Sequence, residues 1–286
     1  MNIKQIEKTI INTLTESGIE LNEAKIEAKM LMKHFLGIND NDFIFDTEFS
    51  DFKIAKEKAK ERAKTKAPIQ HIIGFAHFMG EDFIVNKNVL IPRDETELLV
   101  KKAVEIGNKK REMKNGEIKI LDIGTGSGCI AVSLKKYLPG AEVTAIDNSA
   151  EALELAQKNA EINHAEIVFK NLDMLNEQQW KDIGDFDIIV SNPPYVLESE
   201  KALMQPNVLE YEPSTALFVP DSNPLMYYDA IFRFAVSKKK RSQIYLEINE
   251  NKASELMALA KKYEMFEIRI IKDINGKDRF LSGWRA

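Results

Sequence analysis

The residues best suited to chemistry are Ser191-Asn192-Pro193-Pro194-Tyr195, which follow the β-branched run Ile188-Ile189-Val190 directly. That run reads as the end of a buried strand. Two successive prolines donate no backbone hydrogen bond, so the strand must stop there. Each proline also pushes the residue before it into an extended conformation. The outcome is a stiff corner at the carboxyl end of a strand, offering one amide side chain and several carbonyls that no secondary structure uses. In open α/β sheets this is the edge where ligands bind. Such a corner suits attack by a planar amino or amide nitrogen, whose delocalised lone pair is weakly nucleophilic. The Asn192 side-chain oxygen and the Pro193 carbonyl would accept its two hydrogens and favour the positive charge that develops on nitrogen. Tyr195 can stack on the planar group. Taken alone, the same residues read equally well as loop punctuation: a Pro-terminated strand with a capping Asn and a packing Tyr.

A second stretch supports the chemical reading. Leu121-Asp122-Ile123-Gly124-Thr125-Gly126-Ser127-Gly128-Cys129 lies between a strand and a helix. Its glycines allow a tight turn and a close approach of ligand to main chain, and the helix that follows offers free N–H groups. A dinucleotide fingerprint would read Gly-x-Gly-x-x-Gly. Here the third glycine comes one residue early and Cys129 takes its place, which argues against a nicotinamide oxidoreductase. The spacing resembles motif I of class I S-adenosylmethionine-dependent methyltransferases. That resemblance assigns Gly124, Thr125, Gly126, Ser127 and Gly128 to the amino-acid end of the cofactor. Asp147 ends the next strand, nineteen residues after Gly128, where a carboxylate can accept both ribose hydroxyl protons. Asp173 follows the third strand, where the superfamily contacts adenine, with Met174 beside it. In this setting the Asn192 corner faces the sulfonium methyl group. Catalysis is then mostly in-line positioning, worth up to ~7–11 kcal/mol, and the proton leaves afterwards without an ionisable base.

The elements that must hold these residues alternate. Strands are expected over 118–123, 142–147, 166–170, 186–191 and 243–248, with helices over 128–138, 150–162, 224–236 and 251–263. Two closing strands, 266–271 and 279–284, are joined by a short turn at Asn275-Gly276, so an antiparallel edge strand is expected. The fold class is α/β, a seven-stranded Rossmann-like methyltransferase sheet. Before it, residues 1–67 read as helices. Ile3, Ile6, Ile10 and Leu14 recur at helical spacing up to Gly18. A second helix starts at Asn22, carries Ile26, Met30 and Phe35, and closes at Gly37. Asp51 caps a third, whose lysines read as a solvated face. Residues 68–92 read as a β-hairpin linker. A helix begins near Ile91-Pro92-Arg93-Asp94-Glu95-Thr96-Glu97, capped by Asp94 or Thr96.

Composition excludes several classes. Of 286 residues, 44% are hydrophobic and 30% charged, with a formal net charge of −5. These are soluble, globular values, and they weigh against a binder that works by phosphate neutralisation. The single cysteine rules out an intrachain disulfide and suits a reducing cytosol. The histidines and Cys129 show no metal-ligand spacing. No signal peptide and no apolar run of the ~20 residues that a membrane span needs are present.

Five ordered motifs narrow the reading further. They are Pro68-Ile69-Gln70-His71-Ile72-Ile73-Gly74 with Phe78 and Phe83, the 91–97 segment, the 191–195 corner, Tyr211-Glu212-Pro213-Ser214-Thr215-Ala216-Leu217, and Asp273-Ile274-Asn275-Gly276-Lys277-Asp278-Arg279. Together they resemble the peptide chain release factor glutamine methyltransferases (the HemK/PrmC family) over nearly the whole chain. The resemblance implies methyl transfer from S-adenosylmethionine, yielding S-adenosylhomocysteine, to the glutamine of the Gly-Gly-Gln motif in class 1 release factors. It implies a helical substrate-docking domain (1–67), a linker (68–92) and a methyltransferase domain (93–286). The residues implied are Asn192, Pro193, Pro194 and Tyr195 for the glutamine. For the cofactor they are the glycine loop, Asp147, Asp173, Met174 and Asn192, with Arg93 and Thr96 lining its pocket. A cytoplasmic monomer is expected, with no metal, no membrane contact and no nucleic-acid substrate. The alternative that the corner leaves open is an amino-group methyltransferase of RNA or DNA. A cofactor-binding regulator without catalysis is disfavoured by the intact corner. The departures are Asp94 where the family has proline, Met174 where it is often aromatic, no glycine in Asp221-Ser222-Asn223-Pro224, and 238–242 in place of a Pro-Gly-Gly turn.

Overall fold

The computed structural model describes residues 1–114 and 117–285. In chain order the regular elements are α1 (Ile3–Glu16), α2 (Leu21–Leu36), α3 (Asp40–Phe45), α4 (Lys53–Thr65), α5 (Ile69–Ile73), β1 (Phe75–Phe78), β2 (Glu81–Ile84), α6 (Thr96–Lys114), β3 (Lys119–Ile123), α7 (Cys129–Tyr137), β4 (Glu142–Asp147), α8 (Ala150–Ile162), β5 (Val168–Asn171), β6 (Ile188–Ser191), β7 (Val196–Leu197), α9 (Pro206–Tyr211), α10 (Ser214–Leu217), β8 (Phe218–Val219), α11 (Met226–Ser237), β9 (Gln243–Glu247), α12 (Ala253–Lys262), β10 (Met265–Lys272) and β11 (Asp278–Arg285). They divide into two compact units. One is Met1–Phe75 with Gln205–Tyr211, and the other is Ala76–Met204 together with the chain from Glu212 onward.

The first unit is helical. A capping box between Asn2 and Gln5 starts α1. Ile3, Ile6, Ile10 and Leu14 then fall on one face and are fully buried. The carboxylate of Glu20, not Asn22, caps α2. The buried face of that helix is Ala24, Glu27, Ala28, Leu31 and Met32, and Ile26, expected on it, is 62% exposed. Gly37 ends α2 in the left-handed region. None of the α4 lysines is buried, as expected, but the helix's arginine is. Arg62 is buried against Glu27, with Nη2 2.7 Å from Oε1, and reaches Glu23 at 3.2 Å. Residues 69–73, expected in the hairpin, form a helical turn. Ile69, Ile72 and Ile73 sit at i, i+3 and i+4, a spacing that serves a helix, and Gly74 closes the turn at φ 81. The tyrosine of α9 closes the unit through a 2.7 Å bond from Tyr211 Oη to the Thr65 carbonyl.

The second unit carries the hairpin β1–β2 and a seven-stranded sheet of order β10-β11-β9-β6-β3-β4-β5. β3, β4, β5, β6 and β9 pair in parallel. β3, β4, β6 and β9 are mostly buried, as strands of a sheet covered on both faces are, whereas the edge strand β5 has no buried residue. β3 and β6 lie side by side at its centre, with Ile123 opposite Ser191. The glycine loop and the Asn192 corner therefore leave the same edge of the sheet from adjacent strands. The antiparallel strand is not at the edge, as expected, but second from it: β11 pairs antiparallel with both β9 and β10. The parallel crossover through α12 sets β10 two strand positions from β9, leaving a one-strand gap, and the turn at Gly276 returns β11 into it.

Candidate active site

The loop after β3 turns on glycines. Gly124, Gly126 and Gly128 have φ of 72, 55 and 82, the region that only glycine enters without strain. The amides of Gly124 and Thr125 both bond the Ile146 carbonyl at the end of β4, at 2.9 and 3.0 Å. Asp122 lies beneath the loop, fully buried, and accepts from the Thr125 hydroxyl at 2.7 Å. Burial pushes its carboxyl up to about 7. Burial likewise raises the Cys129 thiol to about 12, so Cys129 is no nucleophile at neutral pH. Asp147 closes β4 and accepts from the Gly126 amide (2.9 Å) and the Ser149 amide (3.0 Å). Desolvation raises its pKa against those bonds.

A cavity of about 380 Å³ opens at this edge. It brings together the loop residues Gly124, Thr125, Gly126 and Ser127, then Asp147, Asp173, Met174, Arg93, Thr96, Asn192, Pro193 and Pro194. Gly128 and Tyr195 are not on its wall. A Cβ on Gly124 or Gly126 would meet nothing within 4 Å, so the loop's main chain is open to a ligand there. Asp173 Oδ1 caps the Leu175 amide at 2.9 Å. The Met174 carbonyl accepts from the Trp180 indole at 3.0 Å. Arg93 is held by Glu212, whose other oxygen takes the Ile91 amide, and this pair fixes the segment leading into α6. With Arg93 neutralised, the remaining charged wall residues are Lys87, Asp147, Glu151 and Asp173. An anionic wall fits a cationic ligand and is unsuited to a pyrophosphate.

At the corner, Asn192 Nδ2 donates to Thr96 Oγ at 3.2 Å. The Thr96 hydroxyl does not cap α6, as expected, but donates to Glu247 Oε2 at 2.7 Å. Tyr195 turns its hydroxyl to the other oxygen of Glu247, at 3.0 Å. Burial and the adjoining Glu247 carboxylate raise the phenol pKa. The Tyr195 carbonyl accepts from Asn249 Nδ2. Two participants were not singled out from the sequence. Glu247 is one member of an otherwise ordinary strand, and no local pattern marks it. Tyr227 lines the cavity with Asp173 and Asp147, and burial, reinforced by the charges of those two residues, raises its phenol pKa. Its signal was an aromatic pair, Tyr227-Tyr228, at the start of α11.

Residues 100–209 match the family model "Methyltransferase small domain". A release factor glutamine methyltransferase of Flavobacterium psychrophilum is 48% identical over 76% of this chain and 75% of its own length. One from Chlorobaculum tepidum is 35% identical over 98% of the chain and 96% of its own length. The chain belongs to the release factor glutamine methyltransferase family. Its sheet is the class I methyltransferase fold. The hMettl16 catalytic domain, solved with an RNA hairpin, superposes with a TM-score of 0.55 at 17% identity, over 90% of this chain and 91% of that one. At that identity the likeness concerns the fold alone. The family's members are methyltransferases, and the chain is an enzyme of that kind. Among the described residues no helix is long and apolar enough to cross a membrane, and no acidic, His or Cys cluster could hold a metal.

Proposed function

We propose that this chain transfers a methyl group from S-adenosylmethionine to the side-chain nitrogen of the glutamine in the Gly-Gly-Gln segment of class 1 peptide chain release factors. One observation carries the reading. Asn192 and Pro193 share a single cavity wall with the open glycine loop and Asp147. When bound, S-adenosylmethionine supplies an activated methyl group, electrophilic because its sulfur is cationic.

The chain's own residues bind and orient. Gly124 and Gly126 let the main chain approach the ligand's amino-acid end. Asp147 is held in place by two backbone amides and accepts ribose hydroxyl hydrogens. Asp173, Met174 and Tyr227 face the adenine end, with Tyr227 restoring an aromatic wall where Met174 departs from the family. Asn192 Oδ1 and the Pro193 carbonyl take the two hydrogens of the glutamine amide. Among the described residues no hydrogen bond ends on either oxygen, so both are available. Holding the amide this way aims its nitrogen and stabilises the charge growing on it. Tyr195 braces the corner through Glu247. The helical unit is assigned the docking of the protein substrate. Mass spectrometry of the Gly-Gly-Gln peptide after incubation with release factor and S-adenosylmethionine tests the proposal. A gain of one methyl on the glutamine is expected. An unchanged peptide, with methyl label entering RNA or DNA instead, overturns it.

A further inference from the structure

Asn192 is the one group at the corner whose chemistry is ambiguous. A side-chain amide carries a donor at one end and an acceptor at the other, and a half-turn about its last bond exchanges them. Which end faces the cavity decides what the cavity accepts.

The neighbouring groups remove that ambiguity. Glu247 and Thr96 are each only 2% exposed. Burial raises the Glu247 pKa, but the hydroxyls of Thr96 and Tyr195 on its two oxygens and the charge of Arg279 oppose that rise and favour the carboxylate. A carboxylate has no hydrogen to give, so in the 2.7 Å bond between them Thr96 is the donor. A hydroxyl has a single hydrogen. Having given it to Glu247, Thr96 can only accept from its other neighbour, Asn192, 3.2 Å away. The end of Asn192 that faces Thr96 must therefore be the NH₂ group, and the end left for the cavity must be the oxygen. Glu247 is itself pinned. Its second oxygen takes the Tyr195 hydroxyl at 3.0 Å, and its main-chain carbonyl takes the Tyr228 hydroxyl at 3.0 Å. One buried carboxylate on β9 thus grips both ends of the Asn192–Tyr195 corner.

We propose that Glu247 and Thr96 are positioning residues that lock Asn192 as a hydrogen-bond acceptor, and that this lock makes the site select a primary amide over a carboxylate. The inference rests on the glutamine reading above and adds to it the origin of the discrimination. Two acceptors, Asn192 Oδ1 and the Pro193 carbonyl, suit a group with two N–H bonds. A glutamate at the same place of the substrate would set its carboxylate against both oxygens with no hydrogen between them. Sites built around a required hydrogen bond reject analogues that lack it, because the buried polar groups are left unpaired. Among the described residues Thr96 alone bonds the Asn192 amide, so without its hydroxyl the NH₂ can turn to a carboxylate.

The experiment uses the full chain with two forms of one release factor: the Gly-Gly-Gln form as substrate, and a form with glutamate in place of that glutamine as a dead-end competitor. The readout is the competitor's Ki divided by the substrate's KM, for the unmodified chain and for Thr96→Ser, Thr96→Val and Thr96→Ala. Calorimetric affinity for S-adenosylmethionine confirms that each variant is folded. The ratio should fall at least about ten-fold in Thr96→Val and Thr96→Ala, the loss of roughly one hydrogen bond's discrimination. Thr96→Ser, which keeps the hydroxyl, should hold the unmodified ratio. A merely structural role for Thr96 would alter stability without moving this ratio. Equal ratios in all four proteins, with the unmodified chain methylating glutamine, overturn the lock. Failure of the unmodified chain to methylate glutamine overturns the reading beneath it, and is recognised separately because no variant is involved.

Discussion

Asp122 shows how one buried side chain sets a pH dependence for the whole fold. It lies beneath the glycine loop with Oδ2 bonded to Thr125, while Oδ1 has no partner among the described residues. A buried anion in that setting is costly, and the folded chain holds the carboxyl proton up to about pH 7. Unfolded, the same group ionises near 3.9. Between those values the folded state binds a proton that the unfolded state has lost. Stability from this residue therefore declines as pH rises from about 4 to about 7, by up to about 1.4 kcal/mol per pH unit, and is level above. Asp122→Asn should remove that decline. Urea unfolding of both proteins at pH 5, 6, 7 and 8 checks it, and parallel pH profiles for the two would contradict it. At this scale the sequence was partly legible. Asn192, the glycines and Asp147 stand in local patterns whose geometry the chain itself fixes. Glu247 does not, because its role comes from Thr96 and Tyr195, 151 and 52 residues away in sequence.

The glycine loop makes a graded prediction at the scale of the element. All three glycines have positive φ, which costs any L-residue about 1–2 kcal/mol. At Gly124 and Gly126 an added methyl meets open space, whereas at Gly128 it would lie 3.1 Å from Ala156 Cβ and 3.2 Å from its Cα. Gly128 is where α7 begins against α8, and a helix backbone cannot withdraw as a side chain can. Gly128→Ala should therefore destabilise the chain more than Gly126→Ala. Gly126→Ala should weaken cofactor binding more, because it puts its methyl into the cavity. Chemical unfolding and calorimetry separate the two effects. Most elements were legible from period and punctuation: α8 spans 150–162 and β4 142–147 as expected, and β3 and β6 differ by a residue or two. α5 was not: Ile69, Ile72 and Ile73 are spaced for a helix, but five residues are too short a run to establish a period. α3 was not singled out either, being six residues whose start is set by the local Asn39–Asp42 capping box.

At the scale of the molecule, each unit has its own core, and the helical one encloses a charged group. Arg62 and Glu27 are 3% and 4% exposed, and removing one would leave the other buried and uncompensated. Arg62→Met should cost about 3–5 kcal/mol and should speed amide exchange across α1, α2 and α4, which native-state exchange measures. Normal protection there would contradict it. The sheet's overall order was less legible than its strands, because which strand lies beside which is decided by pairings far apart in the chain. The place of β11 has a further consequence, for the order of events as the protein is made. β9 and β10 never bond each other; β9 bonds β6 and β11, and β10 bonds only β11, which is synthesised after both. Until β11 emerges, β9 offers the growing chain's surroundings an unpaired edge bearing Ile244 and Leu246, and β10 has no partner at all. Such edges recruit other strands. The half of the sheet built on β3, β4, β5 and β6 can assemble early, but the strand that carries Glu247 gains its second neighbour only at the end. The brace behind the active corner is thus among the last parts of the molecule to be secured.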